Sequence, residues 1–68
     1  MNVTLNGRPA DLRDGATVAD ALETLDLPGQ GRGFAVAVDA EVVPRGQWPA
    51  TALHEGARIE IVQAVQGG

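Results

Sequence analysis

Thr17-Val18-Ala19-Asp20-Ala21-Leu22-Glu23-Thr24-Leu25-Asp26 is the stretch on which the fold turns, because it alone carries helical periodicity. Thr17 followed three residues later by Asp20 has the spacing of a capping box, with the shorter Asp in place of Glu. Val18, Ala21, Leu22 and Leu25 then fall on one helical face. Leu27-Pro28-Gly29 closes the segment, since proline cannot continue the hydrogen-bond ladder and glycine readily takes a left-handed C-terminal position. The pattern predicts one helix over residues 18–26, with Leu22 and Leu25 in the core. A single apolar stripe implies that this helix packs across one face of a sheet.

The strands lie on either side of it. From Asn2 to Leu5 the chain alternates polar and apolar, with Val3 and Leu5 on one face, and Asn6-Gly7 is a strong hairpin signal. Residues 1–13 therefore read as a β-hairpin, closed by a turn at Asp14-Gly15. Pro9 cannot donate to a ladder, so its nitrogen should face outward on the second strand or begin it. After the helix, Gly29-Gln30-Gly31-Arg32-Gly33 has the glycine content of a phosphate loop. It leads into the strand-like Phe34-Ala35-Val36-Ala37-Val38, not into a helix with Lys-Ser or Lys-Thr, and so reads as a mobile connector. A second hairpin turns at Asp39-Ala40 into Glu41-Val42-Val43 and ends at Pro44-Arg45-Gly46. Residues 46–57 read as an irregular crossing in which Trp48 partly covers the core. A last strand over residues 58–62 puts Ile59 and Ile61 on the core face. Hairpin, helix, hairpin, crossing and strand give an α+β domain, a mixed sheet of about five strands wrapped on one helix. This is the β-grasp, or ubiquitin-like, architecture.

The domain is expected over residues 1–63, with residues 64–68 as a flexible tail ending in Gly67-Gly68. Two glycines leave no side chain to block approach to the terminal carboxylate of Gly68, and their backbone can enter a narrow slot. The plain alternative is a frayed end that happens to be glycine. A free α-carboxylate has a pKa of about 3.5 and is an anion at neutral pH, so it accepts no nucleophile until it is activated.

Composition narrows the function. A 68-residue domain buries only about 60% of the surface its unfolded chain exposes and has little room for a catalytic pocket. With no cysteine it has no disulfide framework, no thiolate nucleophile and no cysteine metal site, which suits a reducing compartment. It contains neither an apolar run of membrane-spanning length nor the basic-then-apolar order of a secretory signal, so a soluble, cytoplasmic protein is expected. The net charge of −4 disfavours nucleic acid and anionic membranes and favours a basic protein partner. All five basic residues are Arg. A chain without Lys cannot readily acylate itself, although drift toward GC-rich codons is the simpler explanation. His54 reads as a solvated residue, and Asp11, Asp14, Asp20, Glu23 and Asp26 as a solvated face with electrostatic steering as the lesser reading.

The motifs taken in order are Val3-Thr4-Leu5-Asn6-Gly7, Ala35-Val36-Ala37-Val38, Val42-Val43-Pro44-Arg45, Leu53 with Glu55-Gly56, Arg58-Ile59-Glu60-Ile61-Val62 and Gln66-Gly67-Gly68. Over the whole chain they resemble the ThiS family, the sulfur carrier proteins of thiamin (thiazole) biosynthesis. Two positions depart from that pattern. Asp39-Ala40 stands where the family often has Asn-Gly, and Ala57 where it has an acidic residue. Ala at a position that favours positive φ costs on the order of 1 kcal/mol, so a different turn type is expected there.

The resemblance implies that an ATP- and Mg²⁺-dependent, E1-like adenylating enzyme activates the Gly68 carboxylate. Sulfur delivered ultimately from cysteine, by a system such as a cysteine desulfurase, would convert it to a thiocarboxylate that serves thiazole synthase. The chain itself would bind no cofactor or metal and would not be an enzyme. Gly67 would give steric access, and Val62 and Val65 are candidates for the docking surface. The same fold and ending also fit a carrier of the molybdopterin synthase small-subunit type, a ubiquitin-like protein modifier, or a binding module with an inert tail.

Overall fold

The computed structural model describes residues 1–63, apart from the side chain of Gln30. Strands β1 (Asn2–Leu5) and β2 (Arg8–Asp11) precede the helix α1 (Val18–Glu23). β3 (Phe34–Val38), β4 (Glu41–Val42) and β5 (Arg58–Gln63) follow, with 3₁₀ turns at Pro28–Gly31 and Arg45–Ala50. The strands form one five-stranded sheet in the order β2-β1-β5-β3-β4. β1 and β5 are parallel, and the other pairs are antiparallel. This is the mixed sheet on one helix that the sequence predicts, and Pro9 lies on the edge strand β2.

One core joins the layers. The sheet contributes Val3, Leu5, Val36, Ile59 and Ile61, and the helix contributes Val18, Ala21 and Leu22. The helix begins where expected: Thr17 N–H donates to the Asp20 carboxylate at 2.8 Å, and Asp20 N–H donates back to Thr17 Oγ1 at 3.3 Å. The Thr17 backbone N–H, with Arg13 at 2.9 Å, holds the Asp20 carboxyl below the usual carboxylate range. Asp20 is thus a cap rather than part of a solvated acidic face. Asp11 and Asp14 lie 3.3 and 3.5 Å from the Met1 amino group.

The helix ends earlier than its periodicity implies. Glu23 is its last residue, and the Thr24 hydroxyl caps the Ala21 carbonyl at 2.6 Å. Bonds of the i→i−3 type then lead from Leu25 to Leu22 and from Asp26 to Glu23, and Asp26 takes a positive φ of 52°. Leu25 therefore lies beyond the helix and is 40% exposed, while Leu22 is 7% exposed. Leu27, half-buried, packs against the core in its place.

Two segments read as irregular are built structures. Pro28–Gly31 is a 3₁₀ turn in which Gly31 has φ +84° and packs on the indole of Trp48. A Cβ on Gly31 would lie 2.9 Å from the Trp48 ring, so conformation and space both demand glycine. The crossing contains the Arg45–Ala50 turn, which buries Trp48 completely enough to make it core, with its Nε1 donating to the Val43 carbonyl at 2.9 Å. An isolated bridge from Thr17 to Ala52 ties this crossing to the start of the helix.

Leu22→Ala is expected to destabilise the domain by about 2–5 kcal/mol, and Leu25→Ala by no more than about 0.5 kcal/mol. Urea denaturation midpoints of the two variants check this; equal losses would mean that both leucines are packed.

Candidate functional site

Alternation along β5 buries Ile59 and Ile61 and turns Arg58, Glu60 and Val62 outward. The register sets Ala35 opposite Val62 and Ala37 opposite Val42, so these four share the outer face at the β3–β4 end of the sheet. Val62 is 61% exposed and Val42 is 70% exposed. A lone exposed valine needs no explanation, but aliphatics brought into one patch across three strands make a surface suited to docking. Of the site residues expected from sequence, Val62 therefore stands in this patch. Val65, Gly67 and Gly68 lie outside the described residues, as does the tail assigned to 64–68. Sequence reading missed Ala35, which only the strand pairing places beside Val62, and Val42, which lies across β3 in the row of Ala37 and Glu60.

The root of the patch is held by Asn6. β1 ends at Leu5, and Asn6 N–H still donates to the Ile59 carbonyl at 2.9 Å. The chain then reverses through Asn6-Gly7, both at positive φ, as a hairpin of this twist requires. The Asn6 carboxamide meanwhile turns back to β5: its Oδ1 accepts from Ile61 N–H at 2.7 Å and its Nδ2 donates to Ile61 O at 3.1 Å.

At the other hairpin, Asp39 and Ala40 have φ of 51° and 69°. The turn thus keeps the left-handed form that Asn-Gly would give, correcting the expectation that Ala40 changes its type. Asp39 anchors it: Oδ1 accepts from Arg58 N–H at 3.0 Å and Oδ2 pairs with His54 Nε2 at 2.6 Å. His54 Nδ1 faces the Glu55 carbonyl at 2.8 Å. His54 is solvent-exposed, as expected, but it is not idle. Its hydrogen bond to Asp39, then that to Glu55, raises its pKa, and the His54 bond followed by that from Arg58 N–H lowers the pKa of Asp39.

On the helix side, Leu22, Glu23, Asp26, Leu27, Gly31 and Trp48 line an open cleft of about 410 Å³. Its polar groups are two exposed carboxylates, and no group of three or more His, Cys, Asp or Glu among the described residues could hold a metal ion. No helix among the described residues is long and apolar enough to cross a membrane.

A single small core and a mixed five-stranded sheet gripping one helix define a ubiquitin-like β-grasp domain. The ThiS family model matches residues 3–68, and the chain belongs to that family of sulfur carrier proteins of thiamin biosynthesis. It is 32% identical over 68 residues to the sulfur carrier protein ThiS of Escherichia coli, covering 100% of both chains. The crystal structure of the thiamine biosynthesis protein ThiS from Geobacter metallireducens superposes with a TM-score of 0.84 at 28% identity, with 100% of each chain covered. The solution NMR structure of the thiamine biosynthesis protein from the same organism gives 0.75 at 30% identity, covering 100% of this chain and 88% of that one.

The Asp39–His54 pair sets a pH dependence. The raised His54 pKa contributes stability fully below the ordinary histidine value of 6.5, and this is lost as pH rises through the folded value. The lowered Asp39 pKa contributes above the ordinary aspartate value of 3.8, and this is lost as pH falls through its folded value. The stability difference between wild type and His54→Gln should therefore be largest between pH 3.8 and 6.5 and shrink at alkaline pH. Thermal melts across pH check this, and a difference that does not vary with pH would show that the pair carries no charge.

Proposed function

We propose that this chain is a sulfur carrier whose Gly68 carboxylate becomes a thiocarboxylate for thiazole formation in thiamin biosynthesis. The observation that carries the reading is the family match, which runs through Gly67 and Gly68 to residue 68. An E1-like enzyme with ATP and Mg²⁺ joins the carboxylate to AMP and releases pyrophosphate. Sulfur originating from cysteine, delivered by a cysteine desulfurase or a similar system, then displaces AMP from the acyl carbon. Thiazole synthase receives the sulfur. The carrier is the substrate of these enzymes and binds no cofactor, and it works in the cytoplasm.

The domain contributes docking and reach. Val62, with Ala35 beside it and Val42 on the same outer face across β3, offers an apolar surface on the last strand, and Val65 is a second candidate contact by its place in the sequence. Five residues, 64–68, extend at most about 17 Å, enough for the terminus to enter a buried site while the body stays outside. Gly67 keeps side chains away from the reacting carboxyl group.

Deleting Gly68 should abolish thiocarboxylate formation, read by intact mass after reaction with the partner enzymes. Gly67→Val should sharply lower ATP–pyrophosphate exchange, and Val62→Asp should raise the KM for the carrier. All three should unfold within about 0.5 kcal/mol of wild type, as surface changes do. A truncated chain that still gives thiocarboxylate would overturn the carrier reading.

A further inference from the structure

We propose that Asn6 is a positioning residue for the reactive terminus: its carboxamide takes the place of a missing stretch of β1 and holds β5 at Ile61, fixing where the tail starts relative to the docking patch. This rests on the carrier reading above.

The parallel ladder between β1 and β5 climbs in steps of two residues. Thr4 N–H bonds the Ala57 carbonyl at 3.0 Å, and Asn6 N–H bonds the Ile59 carbonyl at 2.9 Å. The next rung falls on Ile61, but the chain has already reversed into β2. The Asn6 side chain supplies that rung instead, accepting from Ile61 N–H at 2.7 Å and donating to Ile61 O at 3.1 Å. On its other edge β5 is paired with β3 as far as Gln63. Without the carboxamide, neither backbone group of Ile61 would have its partner, and β5 would be held at this level from the β3 edge only.

Val62 follows directly, and it carries the exposed valine of the patch. Docking of the patch and entry of the terminus must occur together, so a loosened root adds an ordering cost to every productive encounter. Losing the two hydrogen bonds is expected to lower kcat/KM for the carrier about tenfold.

Asn6→Gly is the informative variant, because glycine keeps the φ of +52° at this turn and removes only the carboxamide. Asn6→Asp retains the acceptor and tolerates the turn but has no donor for Ile61 O. Val18→Ala, in the helix, serves as the stability control. Amide hydrogen exchange of Ile61 is measured by NMR, and kcat/KM by ATP–pyrophosphate exchange with the adenylating enzyme well below every melting temperature.

The expected result for Asn6→Gly is Ile61 exchange faster by about tenfold and kcat/KM lower by a similar factor, with Asn6→Asp between it and wild type. Val18→Ala should lose at least as much thermal stability and keep its kcat/KM. Unchanged Ile61 protection in Asn6→Gly overturns the clamp. Faster Ile61 exchange with kcat/KM as in wild type overturns the positioning role and leaves a structural one. Absence of exchange with the wild-type chain overturns the carrier reading itself, and with it the role that rests on it.

Discussion

The parallel pairing of β1 with β5 is the constraint from which the rest of the structure follows. Parallel neighbours cannot be joined by a tight turn, so everything between them must form a crossover that returns to the same side of the sheet. That crossover carries α1 over the inner face and places the β3–β4 hairpin against the free edge of β5. The strand that precedes the C-terminal residues is therefore central, with β1 on one side and β3 on the other. The last strand is thus not an edge that can peel away.

The two hairpins grip that strand in the same way. Each turns through two residues at positive φ, and each begins with a residue whose short polar side chain reaches β5. Asp39 binds the N–H of Arg58 at the start of the strand, and Asn6 binds both backbone groups of Ile61 near its end. At the second hairpin this helps to retain Ala40 in a conformation that alanine disfavours. The turn residues thus do more than reverse the chain.

Much of the fold was legible in the sequence because its signals are local. Alternation at Val3 and Leu5 and at Ile59 and Ile61 named the core faces, and the Thr17–Asp20 capping box named the helix start to the residue. What escaped was a helix end that periodicity does not mark, and contacts distant in sequence. Leu25 continues the helical stripe on paper, yet the Thr24 cap and the turn at Asp26 end the helix first. The glycines after Pro28 look like a connector until Trp48, far along the chain, is seen against Gly31. Val62 could be chosen as an outward residue of the last strand, but its partners in the patch follow from a register that no local pattern encodes. The roles of Asn6 and Asp39 toward β5 were hidden for the same reason.

Trp48 is the chain's single tryptophan, and there is no tyrosine. Its indole lies in the inner core against Gly31, with the Arg45 guanidinium 5.9 Å from the ring centroid, while the exposed patch around Val62 occupies the opposite face of the sheet. The protein's near-ultraviolet emission therefore comes from one buried fluorophore. It reports whether the 3₁₀ turns are closed over the core, so unfolding can be followed by its emission alone, from the face opposite the exposed valines.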